Sequence, residues 1–248
     1  MSTFAEQLGR ELRRDPGRPL VTFYDDTTGE RTELSVTTYA NWVAKAASLL
    51  VEEHDLERGD VLRVELPAHW LGPVFLGAAW TAGLVVDLGA PGAPTAGAPD
   101  AVVCGPAGLE RWAQRADDLP VLASALRPLG VRFAEPPPDG VHDVGADIWS
   151  QPDAFTPWDP PGPDDVALSD GRTQREVWEA AAAGSVLTDG GRLLSGANPA
   201  SPPGIATFTE PLARSGSLVL VVGADPERLA SVATDERVTA RLTDQLPD

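Results

Sequence analysis

Apolar residues fall at helical intervals in Phe4, Leu8 and Leu12, with capping-box spacing between Thr3 and Glu6. The chain therefore opens on a short amphipathic helix that Asp15-Pro16-Gly17 ends. Two β-prone runs, Leu20 to Tyr24 and Arg31 to Leu34, flank a polar turn and predict a hairpin. Behind a cap at Ser35, the spacing of Tyr39, Val43, Ala46, Ala47, Leu50 and Val51 predicts a helix reaching His54. Val61 to Leu66 reads as a strand, Trp70 to Ala82 as a helix apolar on nearly every side, and Leu84 to Leu88 as a second strand. That order is a βαβ unit with parallel strands.

Beyond a Gly/Pro/Ala loop at Gly89 to Pro99, Ala101 to Cys104 reads as a strand and Leu109 to Arg115 as a helix. Between Glu135 and Pro163, eight prolines argue against regular ladders and mark a surface connection, with Trp149, Phe155 and Trp158 expected to pin it down. The alternation then resumes: strand at Val166 to Leu168, helix at Thr173 to Ala183, strand at Arg192 to Leu194, helix at Ile205 to Leu212, strand at Ser217 to Val222. Asp225 caps a further helix opened by Pro226, and Val238 begins a short last strand. The fold class is α/β, with mostly parallel sheets flanked by helices. The expected division is a first subdomain at 1–134, a Pro-rich connection at 135–164 and a smaller second subdomain at 165–248, or one compact domain overall.

Composition narrows the function classes. The 248 residues suffice for a large core, and 42% hydrophobic with 23% charged residues is ordinary globular material. A formal net charge of −18 disfavours nucleic acid and anionic membrane surfaces as partners. Cys104 is the only cysteine, so there is no intramolecular disulfide and no cysteine-based metal site. It sits in an apolar run expected to be core. Glu6 and Arg10 stand where a signal peptide needs apolar residues, and no segment approaches the roughly 18 apolar residues of a membrane span, so the cytoplasm is the expected compartment.

The stretch Glu33 to Leu88 resembles the opening of adenylate-forming enzymes, the acyl-CoA synthetase and AMP-ligase superfamily, with Tyr39, Gly59, Asp60, Pro67, Ala82 and Gly83 carrying the match. Asp189 to Thr239 is similar to a later segment of the same family. The resemblance implies the fold of that family's N-terminal subdomains. It also implies a Ser/Thr/Gly-rich loop ending in Pro-Lys-Gly that wraps the phosphates of ATP with backbone N–H groups. At that place the sequence reads DVALSDGRTQREV, from Asp165 to Val177, with one glycine and no lysine. The sole lysine, Lys45, lies in mid-helix. The family's ribose-binding aspartate and C-terminal catalytic lysine fall beyond the matched segments.

The sequence therefore predicts a scaffold without its ligase chemistry: a binding or interaction module with no catalytic residue, cofactor or metal. The alternative is an enzyme or small-molecule binder that keeps a residual cleft for an acyl, nucleotide or CoA ligand. Homo-oligomers or a protein partner are the other expected associations. Ligands of open parallel sheets sit at the carboxyl ends of strands, which singles out His69 and Asp87. His69 either meets a ligand or caps the Trp70 helix, and Asp87 either titrates in a site or accepts loop N–H groups. Ser169, Arg172 and Thr173 lie with Asp170 in a polar strand-to-helix turn suited to an anion, or to helix capping by Asp170 or Gly171. Asn198, between Ser195 and Ser201, lies in a loop that resembles a substrate-side loop of the family. Trp42, Trp70, Trp80, Trp112 and Trp178 fall on helices and are read as core.

Overall fold

The computed structural model describes residues 2–88 and 97–242. The loop expected at Gly89 to Pro99 lies mostly outside the described residues. Helix α1 (Phe4–Arg14) starts at a complete capping box between Thr3 and Glu6. The hairpin follows as β1 (Pro19–Asp25) and β2 (Glu30–Ser35), antiparallel. Ser35 accepts from the Thr38 amide to cap α2 (Val36–Ser48), which continues as one wider π-helical turn at Leu49–Glu53. The expected βαβ unit is β3 (Val61–Glu65), α3 (Leu71–Ala82) and β4 (Val85–Leu88), and its strands are parallel. Gly83 ends α3 at φ +81, a left-handed cap that a β-carbon would strain.

The chain continues through β5 (Ala101–Cys104), α4 (Pro106–Ala113), β6 (Val121–Ala123), β7 (Val141–Asp143) and α5 (Val144–Asp147). Two corrections arise here. Helix α4 starts earlier than its apolar spacing implied, because Pro106 opens the first turn where a missing N–H costs nothing. The Pro-rich connection does contain a ladder: β7 falls in its proline-free stretch between Pro138 and Pro152 and pairs parallel with β6. The last third supplies α6 (Gln174–Ala183), β8 (Arg192–Ser195), α7 (Ala206–Ala213), β9 (Ser217–Val222), α8 (Pro226–Asp235) and β10 (Ala240–Leu242). Asp225 caps α8 by accepting from the Arg228 amide, as its position ahead of Pro226 predicts.

The strands form two five-stranded sheets. The first runs β10-β8-β9-β1-β2, parallel except for the β1–β2 hairpin, and the second runs β4-β3-β5-β6-β7, parallel throughout. Strands from near both ends of the chain thus share the first sheet. Helix α2 packs on β1 and β2, α3 packs on β3 and β4, and the two helices pack on each other, so both sheets contribute to one core. Alternation along the strands sorts side chains by face: Ala101 and Val103 enter that core, whereas Val102 and Cys104 join Trp112 under α4. Likewise Leu218 and Leu220 point into the common core, and Val219 and Val221 lie under α8.

The tryptophans read as core are buried: Trp42, Trp70, Trp80, Trp112 and Trp178. Phe4, Trp80 and Trp178 form a three-ring cluster with centroids 5.7 to 6.0 Å apart, joining α1, α3 and α6. The Pro-rich connection departs from expectation. Trp149 leans edge-on against Trp42 and Phe155 packs on the core, but Trp158 is 96% exposed and pins nothing. His54 caps the π-helical turn, with its ring centroid 4.3 Å from that of His142. Burial, reinforced by His142, holds its pKa below the ordinary value, so desolvation outweighs the attraction a helix end exerts on a cation.

Candidate functional site

The segment Val166 to Leu168 does not form the expected strand. It makes isolated bridges, Val86 with Leu168 and Val166 with Thr173, and so runs beside β4 before turning into α6. Gln174, the first residue of α6 and 1% exposed, fixes that turn. Its Nε2 donates to the Trp80 carbonyl at 3.1 Å, and its Oε1 accepts from the Phe4 amide at 3.0 Å and from Trp178 Nε1 at 3.3 Å. The sequence reading passed over this residue. A polar side chain just inside a helix that faces an aromatic cluster is the signal it left.

Within the turn, the amides of Ala167 and Leu168 both donate to the Arg172 carbonyl, Ser169 to Val86, and Gly171 to Leu168. The Arg172 amide donates to Asp170 Oδ1 at 3.1 Å, the Thr173 amide to Glu176 Oε2 at 2.8 Å, and the Gln174 amide to the Asp165 carbonyl. Gly171 makes the tight reversal at φ +94. The cap of α6 is Thr173, not Asp170 or Gly171: Thr173 has extended backbone and forms a reciprocal capping box with Glu176. The turn's one guanidinium is likewise committed, since Arg172 grips Asp170 through Nε and Nη2 at 2.7 to 3.1 Å. These bonds hold the Asp170 and Glu176 carboxyls below their ordinary pKa.

Asp87 lies on β4 directly across from Arg63 of β3. Both are buried, 4% and 1% exposed, and Arg63 Nη1 meets Asp87 Oδ2 at 2.9 Å. The second carboxylate oxygen accepts from the Ser169 hydroxyl at 2.9 Å, so Asp87 serves a guanidinium and a hydroxyl, not the loop amides the sequence suggested. The chain of charges continues from Arg63 to Glu65 at 3.5 Å and from Glu65 to Arg111. Asp87, Arg63, Glu65 and Arg111 alternate in sign and sum to zero, the half-exposed Arg111 balancing the three buried charges so that their desolvation is offset. Arg63 and Glu65 were missed. Their signal is two charges at i and i+2 on one face of a strand otherwise apolar enough to be buried.

His69 and Asn198 sit beside the end of β3. The His69 ring packs against Phe23 at 4.8 Å and Trp70 at 5.4 Å, and its Nδ1 accepts from the Leu71 amide at 3.2 Å. Nε2 therefore carries the proton, and it has no partner among the described residues. Burial lowers the pKa to about 4, against a weak opposing pull from Asp25. Asn198 Nδ2 donates to the Leu66 carbonyl at 2.7 Å and its Oδ1 accepts from the Ala200 amide, which clamps the 196–204 loop to β3. The structure thus gathers Asp87, Ser169, Arg172 and Thr173 around the end of β4, and leaves His69 and Asn198 as a separate pair. Among the described residues, the groove between Leu88, Ser169, Arg172 and Pro202 measures about 150 Å³, below the roughly 300 Å³ at which small-molecule pockets begin. No three metal-ligating side chains converge among them.

No family model matches the chain. Among solved structures, it is similar to an acyl-CoA synthetase of Brucella canis, with TM-score 0.76 and 17% identity over 97% of this chain and 47% of that one. It is also similar to coronafacic acid ligase from Pectobacterium brasiliense, at TM-score 0.74 and 15% identity, covering 96% of this chain and 49% of that one. A luciferase-like enzyme from the nonluminescent mealworm Zophobas morio superposes at 0.75 with 12% identity over 97% of this chain and 59% of that one. The chain spans about half the length of the first two of these enzymes, and the likeness establishes the fold of their N-terminal part. No helix among the described residues is long and apolar enough to cross a membrane. A TIGR03089 family protein of Mycobacterium tuberculosis is 36% identical over 244 residues, 93% of this chain and 94% of that one. The chain belongs to that family, built on the N-terminal fold of adenylate-forming enzymes.

Proposed function

We propose that this protein is a non-catalytic binding or interaction module on an adenylate-forming scaffold. The observation that carries the reading is the turn at Ala167 to Gln174, whose amides other than that of Asp170 donate to carbonyls and carboxylates of the chain itself. A triphosphate is gripped by amides and cations left free to meet it. Here the carboxylates of Asp170 and Glu176 accept from the Arg172 and Thr173 amides, and Asp87 adds a buried carboxylate beneath the same turn. Adenylation must also stabilise the charge of a phosphoryl transition state and its pyrophosphate, and the one guanidinium of the turn is paired with Asp170.

The reading predicts no ATP–pyrophosphate exchange with any carboxylic acid, and measurable exchange refutes it. One observation favours a second reading, a small acyl, nucleotide or CoA ligand at the β3 end: His69 Nε2–H is buried without a partner. A thermal-shift series with ATP, AMP, CoA and acyl-CoA separates the two. A ligand at a hundredfold its Kd raises stability by about 2.7 kcal/mol, and a module with no such cleft stays unmoved.

A further inference from the structure

We propose a second site at the opposite end of the β4-β3-β5-β6-β7 sheet, one that binds a small cationic amphiphile. A cavity of about 380 Å³ opens there, where the chain enters β3 and leaves α3, and its size falls in the range of small-molecule pockets. Its floor is apolar: Val51 from the π-helical turn, Leu56 from the loop before β3, and Phe155 from the Pro-rich connection. The rim is formed by Trp158 with Glu57, Arg58 and Asp159.

Trp158 is the feature that demands a ligand. Its neighbours Pro157, Pro160 and Pro161 restrict the backbone, and the segment is tied down on both sides. Arg58 holds Asp159 at 2.8 Å and Asp165 at 2.7 Å, and Lys45 holds Asp153 at 3.1 Å. The fold thus anchors the strap and still leaves the indole 96% exposed beside an apolar floor, where it contributes nothing to the core. An exposed, stiffly presented indole next to a concave apolar surface gains free energy when a ligand covers it.

Charge selects the ligand. Glu57 and Asp159 against Arg58 leave one net negative charge on the rim, within a chain of net charge −18, and Arg58 is further paired with Asp165 behind it. An ammonium group is attracted to that rim and to the indole face, and a carboxylate or phosphate is repelled. The ligand is therefore a compact hydrocarbon or aromatic body bearing an amine or quaternary ammonium. The site lies away from the strand-end turn, so it stands or falls independently of the function proposed above.

The test uses the intact protein and follows the tryptophan indole signals by two-dimensional NMR, with Trp158 assigned through a W158F variant. Hexyltrimethylammonium is the cationic probe and hexanoate its anionic counterpart. The expected result is saturable movement of the Trp158 signal with the ammonium, and affinity weakened about tenfold by W158A or E57Q, a loss in keeping with one cation–π or charge contact. Both substituted side chains are exposed, so an unchanged melting temperature certifies the fold. Three results overturn the proposal: no saturable binding of the ammonium, equal binding of hexanoate, or affinity unchanged by W158A. Movement of the Trp158 signal on raising protein concentration alone also overturns it, because a second copy then occupies the surface.

Discussion

Acid should loosen this fold through His69 before its carboxylates protonate. The ring is 4% exposed, wedged between Phe23 and Trp70, and its Nδ1 accepts the Leu71 amide, so protonation sets a donor against a donor and charges a buried ring. The pKa falls from 6.5 to about 4 on folding. The folded state therefore binds fewer protons than the unfolded chain between those values, and stability is lost as pH falls through that window. At about 1.36 kcal/mol per pH unit, the full window is worth about 3 kcal/mol, of which about 2 kcal/mol is spent between about pH 7 and pH 5. The assay is urea unfolding at both pH values for the native protein and for His69→Asn, whose side-chain oxygen keeps an acceptor for the Leu71 amide. The cavity left by the smaller side chain lowers stability equally at both pH values, so the difference between the two proteins should shrink by about 2 kcal/mol at the lower pH. An unchanged difference refutes the reasoning.

Other substitutions probe the packing and the turn. At Gly77, where α3 crosses α2, an added β-carbon would lie 2.3 Å from the Tyr39 hydroxyl, 2.7 Å from Phe4 and 2.8 Å from Val43. Gly77→Ala should therefore cost about 1 to 3 kcal/mol in chemical unfolding, and a neutral effect would contradict the tight α2–α3 contact. Asp87→Ala removes a carboxylate from Arg63 and the acceptor of Ser169, with an expected loss of about 3 kcal/mol, and a loss below about 1 kcal/mol would show that the charge chain stabilises little. Thr173→Ala breaks the capping box of α6 and should lower the melting temperature by about 2 to 4 °C, which calorimetry resolves.

Where one periodicity dominates a long segment, the elements were legible. Helices α2 and α3, the hairpin and the parallel βαβ unit follow from apolar spacing, because burying those stripes is what holds the segments in place. Strands β6 and β7 span three residues each, too few for a period to show, and exist because a neighbouring strand offers a ladder. The wider turn at Leu49–Glu53 left no mark either, since a single extra residue in a helix scarcely shifts the apolar stripe. Of the candidate site, the scarcity of glycine and absence of lysine from Asp165 to Val177 were visible in residue types alone. The occupation of its amides was not, because it depends on Arg172 folding back on Asp170 and Glu176 on Thr173. Arg63 could be read as an odd charge in an apolar strand, but its pairing with Asp87 requires the register of β3 against β4. Trp158 was expected to pack, as most tryptophans do, and only the ties made by Arg58 and Lys45 reveal that the strap is held without it.

The central proposal is that the strand-end turn, whose amides other than that of Asp170 and whose guanidinium are taken up within the chain, has no grip on a triphosphate. Isothermal titration of the intact protein with ATP and magnesium tests it most directly. The account predicts no saturable heat up to millimolar nucleotide. A saturable isotherm for ATP that weakens in Arg172→Ala would contradict it, because Arg172 would then have left Asp170 to hold phosphate.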